Sequence, residues 1–348
     1  MTRFQKTLPA ICAALLASPA LAQSSVTIYG KVDFGLVVDK GSPSGKAVRL
    51  GSGVAATSRL GFKGIEDLGN GYKAFFQLET GYCGDSAAGA PNFCSGSNNF
   101  MGRQSHGDLT GPFGSISAGR QYTLGFTTFW TADPFGTGLA GRLNNTNGKD
   151  YIVDPSGTRI NNSVIYTTPV LAGVTVSGEI GLGEQPGNWR SSRELGAALN
   201  YAVGPAFASL TWYSQNTAQG DHPADQNVQF GATYDFGIVK LHGLAQKVKG
   251  SPVGAPRIDV MNLMVGATVP IGPGSLLASI VRHDDRASAD RDARQFGVGY
   301  LYPLSRRTSI YTAFAHIVNR NGAGYFVGNG TETGTGNSGF DLGVLTSF

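Results

Sequence analysis

The amino-acid sequence predicts an all-β fold, a sixteen-stranded antiparallel transmembrane β-barrel. Three observations carry that reading. An export leader opens the chain. The remainder alternates in period two with no convincing amphipathic helix. The last strand closes on an aromatic residue, Phe348.

The leader comes first. Arg3 and Lys6 form a positive start, and an apolar run extends from Leu8 to Leu16 with only Pro9 interrupting it. Ser18-Pro19-Ala20-Leu21-Ala22 then supplies the small residues that a signal peptidase accepts. Such a segment is too short and wrongly flanked for a membrane span. Residues 1–22 are therefore expected to be a signal peptide, and 23–348 a single barrel domain. Removing the two cations lowers the formal net charge from +4 to +2. That near-balance gives no reason to expect nucleic acid as a partner.

Composition narrows the class. The chain holds 51 Gly, 13 Tyr and 19 Phe, but only 14% charged residues, so it lacks the polar surface of charged helices. After the leader no apolar stretch reaches the roughly 20 residues that a transmembrane helix needs. Period-two alternation in such a chain fits a large β-protein or a membrane barrel. The carboxy-terminus separates the two. Phe340, Leu342, Val344, Thr346 and Phe348 share one face, while Asp341, Gly343, Leu345 and Ser347 share the other. A last strand with this pattern and a terminal Phe looks like the assembly signal of an outer-membrane barrel.

Sixteen strands are expected near 26–37, 56–65, 72–82, 99–109, 115–122, 158–167, 173–181, 194–202, 206–214, 227–235, 238–248, 257–269, 274–283, 292–302, 307–319 and 338–348. Their connections alternate. Short ones carry turn residues, such as Leu68-Gly69-Asn70-Gly71, Gly111-Pro112-Phe113-Gly114 and Gly204-Pro205. The others are long and polar, at 38–55, 83–98, 123–157, 182–193, 215–226, 249–256, 284–291 and 320–337. Short turns at one end and long loops at the other are the two sides of an outer-membrane barrel. The faces agree. Val26, Ile28, Val32, Phe34 and Leu36 alternate with Thr27, Tyr29, Lys31 and Asp33. Tyr72, Ala74, Phe76 and Leu78 alternate with Lys73, Phe75, Gln77 and Glu79.

Several blocks resemble betaproteobacterial general porins, a Gram-negative trimeric family. Gln23 to Gly30 with Val32-Asp33 resembles the mature start. The block from Ser58 to Glu79 is the most specific match, and Gly102-Arg103-Gln104-Ser105, Gly114 to Tyr122, and Asn161 to Tyr166 with Pro169 follow. The resemblance spans Gln23 to Phe348. It implies a homotrimer in the Gram-negative outer membrane, in contact with lipid and lipopolysaccharide. It implies a water-filled pore for small hydrophilic solutes and ions, and a third loop, 123–157, folded inward to constrict it. A connection of that length is usually functional.

The resemblance also implies basic residues on the wall opposite acids on the inward loop. The matching positions are Arg59, Arg103 and Arg159, each with the parity of a lumen residue in its own strand. Arginine stays charged and presents a planar fork to carboxylates and phosphates. The bland alternative is a set of cations solvating a wet wall. Arg120 shares parity with Ile116 and Ala118, so it reaches the lumen only if a bulge near Gly119 shifts the register. Lys31 and Lys63 extend the basic lane. On the loop, Asp133 beside Pro134-Phe135-Gly136 is the candidate acid, with Asp150 and Asp154 as the others. Arginines outnumbering these acids imply a modest preference for anions. If Arg103 faces the lumen, His106 and Asp108 face outward.

The remaining signals are weak. Cys83 and Cys94 share one exported loop, so a disulfide is expected there, while Cys12 leaves with the leader. No metal site or cofactor is expected. His283-Asp284-Asp285 reads as a solvated turn. The Gly-rich stretch 322–339 lacks the Gly-Lys-Ser/Thr ending of a phosphate loop and reads as a mobile surface loop. No Ser–His–Asp spacing marks an enzyme. Three rivals share the architecture: a substrate-specific channel, a barrel enzyme, and an adhesin with a closed lumen. Conductance discriminates the last from the first.

Overall fold

The computed structural model describes residues 25–85, 100–143, 145, 157–220, 223–251, 257–332 and 334–348. Cys94, Asp150, Asp154 and the leader lie outside them. Seventeen strand segments form one closed antiparallel sheet. They are β1 (Ser25–Ser42), β2 (Gly45–Ser52), β3 (Arg59–Gly69), β4 (Tyr72–Gly81), β5 (Gln104–Gly111), β6 (Gly114–Tyr122), β7 (Arg159–Thr167), β8 (Val174–Gly181) and β9 (Glu194–Val203). Then come β10 (Ala206–Asn216), β11 (Pro223–Asp235), β12 (Lys240–Gly250), β13 (Ile258–Ile271), β14 (Gly274–Asp285), β15 (Ala293–Pro303), β16 (Thr308–Asn319) and β17 (Ser338–Ser347). From β3 to β17 each pairs with the next in chain order, β1 pairs with both β2 and β3, and β1 with β17 closes the ring from Lys31↔Ser347 to Lys40↔Ser338.

Seventeen segments make sixteen staves because β2 and β3 follow one another along β1. The lower part of β1 pairs with β3 up to Lys31↔Arg59, and its upper part with β2 from Phe34↔Ser52. Between them residues 53–58 leave the wall and bend inward. Asp33 holds this excursion. Its Oδ2 accepts the N–H groups of Ala55 and Ala56, both at 2.7 Å, and its Oδ1 accepts the Tyr311 hydroxyl at 2.5 Å. The expected long loop at 38–55 is therefore strand over 38–42 and 45–52, and only its last residues join the excursion. Val48 and Leu50 point outward in alternation with Ala47 and Arg49, and a tight turn at Pro43-Ser44 joins β1 to β2.

A closed ring leaves no unpaired strand edge, which lipid would not tolerate. The faces are inverted relative to a soluble protein. Leu210, Trp212, Phe230, Ile280, Phe296 and Phe314 are exposed on the outside. Ser209, Thr211, Gln229, Gln246 and Asn262 are buried on the inside. At one end the strands join by short turns. Asn70 and Gly71 both take positive φ, at 52° and 80°, as a two-residue hairpin between right-twisted strands requires.

The interior is filled from the long-loop end. Helix α1 (Leu124–Ala132) starts at Thr123, whose Oγ1 accepts the N–H of Phe126 at 3.1 Å. It lies on the inner wall of β9–β12, with Thr128 bonded to Ser209 at 2.7 Å and Thr211 at 2.8 Å. The helix gave no amphipathic signal because it is nine residues long and apolar on most sides. After Asp133 the chain crosses the barrel to the excursion, where the Leu139 N–H meets Val54 O at 3.0 Å.

The connection 320–337 also folds inward, contrary to the expectation of a mobile surface loop. Tyr325 and Val327 are buried in one apolar cluster with Val54, Phe135, Leu139 and Tyr311. The Gly330 N–H shares Val54 O at 2.9 Å, and Tyr325 Oη lies 2.7 Å from His283 Nε2. Its glycines allow close backbone approach rather than motion. His283 is accordingly buried against Tyr325 and Asn262 instead of lying in a solvated turn.

Candidate pore constriction

A chamber of about 850 Å³ lies where the excursion and the crossing loop narrow the barrel. One side is the wall of β1, β3, β4 and β7 with the residues flanking β5 and β6. The other is Phe126, Trp130 and Pro134–Thr137 of the loop. The wall side is charged, and the loop side is largely apolar apart from Arg142.

The charged side is built around two acceptors. Glu79, near the end of β4, takes Arg103 Nε at 2.6 Å and the Tyr29 hydroxyl at 3.0 Å, with Arg59 Nη1 at 3.6 Å. Tyr122, at the end of β6, accepts from Arg103 Nη2 at 3.0 Å and Arg159 Nη2 at 3.4 Å. The Arg159 guanidinium also sits 4.8 Å from the Tyr122 ring centre, in cation–π range. Arg59 is held further by its own bond to Thr57 O at 3.0 Å, at the root of the excursion. Gln77 donates to Tyr29 at 2.6 Å, and Lys63 Nζ lies 5.4 Å from the Tyr29 ring, toward the turn end. Among the described residues, five cations line the chamber, Lys31, Arg59, Arg103, Arg142 and Arg159, against one carboxylate, Glu79. The lining charge is thus five minus one, or +4.

Arg59, Arg103 and Arg159 are brought together, and Lys31 joins them. Arg103 does so for a reason other than strand parity. It precedes β5, just after Met101 with φ of 55°, so the strand's alternation does not govern it. Gln77 pairs with His106, and Phe75 with Asp108, which puts His106 and Asp108 on the lumen face rather than the outer one. His106 Nδ1 lies 2.8 Å from Asp108 Oδ1 there.

Arg120 is not brought in. The bulge exists, since pairing shifts between Gly119 and Gln121, and Gly119 has φ of 134°. It turns Tyr122 toward the chamber, while Arg120 stays opposite Ser105 and bonds Gly102 O at 2.7 Å and Asn161 Oδ1. Asp133 is buried outside the lining. Its carboxylate accepts the N–H groups of Phe135 at 3.0 Å, Thr137 at 2.9 Å and Leu143 at 3.0 Å, so it shapes the loop turn. Burial pushes its pKa up to about 6 against the pull of those three donors. Burial lowers Arg142 to about 10, opposed by Asp341 and Asp133.

Sequence reasoning passed over Glu79, Tyr29 and Tyr122. Glu79 and Tyr29 were visible as lumen-parity residues, and Tyr122 was hidden by the bulge. Cys83 is disulfide-bonded.

Comparison with known proteins follows the same lines. A family model described as Gram-negative porin matches residues 8–322. Outer membrane porin protein 32 of Delftia acidovorans is 33% identical over 99% of this chain and 100% of its own length. An outer membrane porin protein of Bordetella pertussis is 29% identical over 89% of this chain and 94% of its own. Among solved structures, an anion-selective porin from Comamonas acidovorans superposes with a TM-score of 0.79 at 30% identity, covering 93% of this chain and all of that one.

Proposed function

Because the chain belongs to the Gram-negative porin family, we propose that the charged chamber is the selectivity constriction of its pore. The protein is an outer-membrane channel for small hydrophilic solutes and ions, with a weak preference for anions, and it is not an enzyme. The lining charge of +4 carries the assignment of the constriction. Charges at a narrow point set selectivity because the permeant ion must pass within a few ångströms of them.

The arrangement keeps the cations usable. Tyr122 gathers Arg103 and Arg159 with a neutral phenol and its ring, so their positions are fixed without cancelling their charge. Glu79 offsets part of the field and anchors Arg103 and Arg59. An anion entering from the loop side exchanges water for guanidinium N–H groups one cation at a time. The fork geometry suits carboxylates and phosphates as well as chloride. Several weak sites in series allow the ion to leave again.

Four further readings belong to this proposal. The chain assembles as a homotrimer, for which the small outward residues Gly64, Ala74, Ser105, Gly107 and Ala118 offer a flat packing face. Its outer wall contacts lipid and lipopolysaccharide. Cys83 pairs with Cys94. Residues 1–22 are removed on export.

Planar-bilayer recording of the mature protein in a KCl gradient tests the constriction. The expected reversal potential lies on the chloride side, with openings in groups of three. Arg59→Glu changes the lining charge by two units and moves the reversal potential toward potassium. A wild-type potential on the potassium side would overturn the assignment.

A further inference from the structure

The two sides of the chamber differ in a way that charge selectivity alone does not require. Facing the cations, α1 and the start of the crossing loop present Phe126, Trp130, Pro134 and Phe135. Packing accounts for most of this apolar side. Phe135 is buried in the cluster where the inward pieces meet, and Phe129 and Ala132 of α1 are buried against Leu143 and Leu244. Packing does not account for Trp130. It is 51% exposed inside the pore, while Phe126 and Phe129 on the same helix are at 8% and 0%. An indole standing in water is stabilised only when something apolar covers it.

Trp130 also ends an aromatic stripe that begins at the cations. The Arg159 guanidinium sits against the Tyr122 ring, and the Tyr122 and Phe126 ring centres are 4.9 Å apart, tilted by 34°. Phe126 and Trp130 are four residues apart on α1. They therefore share one helix face, about 6 Å apart along the axis.

At the cationic end of the stripe, donor capacity remains. Arg159 Nε has no hydrogen-bond partner among the described residues, and Arg59 Nη1 reaches Glu79 only at 3.6 Å. A planar guanidinium fork suits a carboxylate. The chamber's volume of about 850 Å³ falls within the range of small-molecule sites, about 300–1,000 Å³.

A solute that uses both sides carries a carboxylate at one end and a flat apolar body at the other. A chloride ion or a short hydrophilic acid touches only the cations. A neutral aromatic touches only the stripe. An aromatic ring stacks offset or edge-on against an indole, which an aliphatic body of equal size does not do.

We propose that the chamber holds a two-point subsite for aromatic monocarboxylates. The carboxylate lies on Arg59 and Arg159, and the ring lies on Phe126 and Trp130. The subsite rests on the constriction proposed above and names a solute class that it favours. Each contact is weak by itself, so the solute leaves as well as enters. While it is bound it obstructs chloride, so occupancy is read as block of the chloride current.

The test records the mature protein in planar bilayers in KCl at neutral pH. Benzoate, acetate, cyclohexanecarboxylate and neutral benzamide are added in turn, and the half-blocking concentration of each is measured. Benzoate is expected to block at a concentration about two- to tenfold below that of acetate, the gain from one aromatic pair. In Trp130→Ala the acetate-to-benzoate ratio of half-blocking concentrations should fall toward one, and Trp130→Phe should restore most of it. Because the ratio is taken within each variant, a change in pore width affects both solutes. Equal block by benzoate and acetate in a chloride-selective wild type overturns the subsite and leaves the constriction standing. A wild-type reversal potential on the potassium side overturns both. An unchanged ratio in Trp130→Ala removes Trp130 from the site and overturns it. Cyclohexanecarboxylate as strong as benzoate overturns the aromatic class, and benzamide as strong as benzoate overturns the carboxylate end.

Discussion

Glu79 is the residue on which the charge pattern of the chamber turns. It carries the one carboxylate among the described lining residues and anchors Arg103 and Tyr29. Glu79→Gln is expected to raise the lining charge from +4 to +5. Reversal potentials in a KCl gradient should then move further toward chloride, and a shift toward potassium would contradict the role. Tyr122→Phe separates two effects. It removes the acceptor shared by Arg103 and Arg159 but keeps the ring, so anion preference persists while current noise rises as two guanidinium groups gain freedom. Asp133 gives a pH signature. Its pKa rises from an ordinary aspartate's 3.8 to about 6 in the folded loop. Between those values the folded loop holds a proton that an opened loop would release, so its contribution to stability is fullest in acid and is lost as pH rises through about 6. Amide protection at Leu143 and Thr137, corrected for intrinsic exchange, should fall between pH 5 and 7. In Asp133→Asn that slope should vanish. Strand parity alone was enough to place Arg59 on the wall, but not Arg159, which is separated from Ser163 by a register shift in β7 at Asn161–Asn162. It failed for Arg103, which sits before its strand, and for Tyr122, which sits beside a bulge, whereas Arg120 stays on the outward face that parity gives it and the bulge does not bring it in. A bulge depends on how two strands meet, and neither strand states it alone.

At the scale of elements, three inward pieces clasp one another. Val54 O accepts the N–H groups of both Leu139 and Gly330, so the excursion, the crossing loop and the last long loop meet at one carbonyl. Asn145 Oδ1 takes the Gly328 N–H at 2.9 Å, and its amide reaches Gln295 at 2.9 Å on β15. Arg142 donates to Asn329 O. Asp33 supports the whole clasp from the wall through Ala55, Ala56 and Tyr311. Asp33→Ala leaves those buried donors without an acceptor, at about 1–3 kcal/mol each where water does not replace it. The expected outcome is an intact barrel with a loosened constriction, seen as flickering or larger single-channel steps. Steps as quiet as wild type would show that the clasp stands without Asp33. The strands that build the wall were legible because each alternates over most of its length. The clasp was not, because its contacts run between backbone groups and between residues up to 278 positions apart. Gly-rich 322–339 resembles an unpacked loop in composition, and only the meeting with Val54 and Phe135 makes it part of the interior.

For the molecule as a whole, the decisive event is closure of β1 on β17. At the turn end, Gly30 and Phe348 exchange both backbone hydrogen bonds, each at 3.1 Å. The Phe348 ring lies so close that a Cβ on Gly30 would meet it at 2.4 Å, so the last residue is packed into the seam that the first strand leaves open. Phe348 can therefore matter in two ways, as the last contact of the ring and as a signal read during assembly. Gly30→Val and deletion of Phe348 tell these apart. Both disturb the seam, and the deletion removes two hydrogen bonds worth about 1 kcal/mol each. A loss of that size leaves most of a marginal barrel folded in detergent, because many other bonds still join β1 to β17. If Phe348 acts only through the seam, the two variants lose folded, heat-modifiable protein in parallel, in detergent refolding and in cells alike. If it is also the assembly signal, its deletion should refold in detergent nearly as well as Gly30→Val but fall severalfold below it in the outer membrane of expressing cells. The expectation is the second pattern. A terminal Phe on an alternating apolar face is present before any ring exists, so it can be read while the chain is still open.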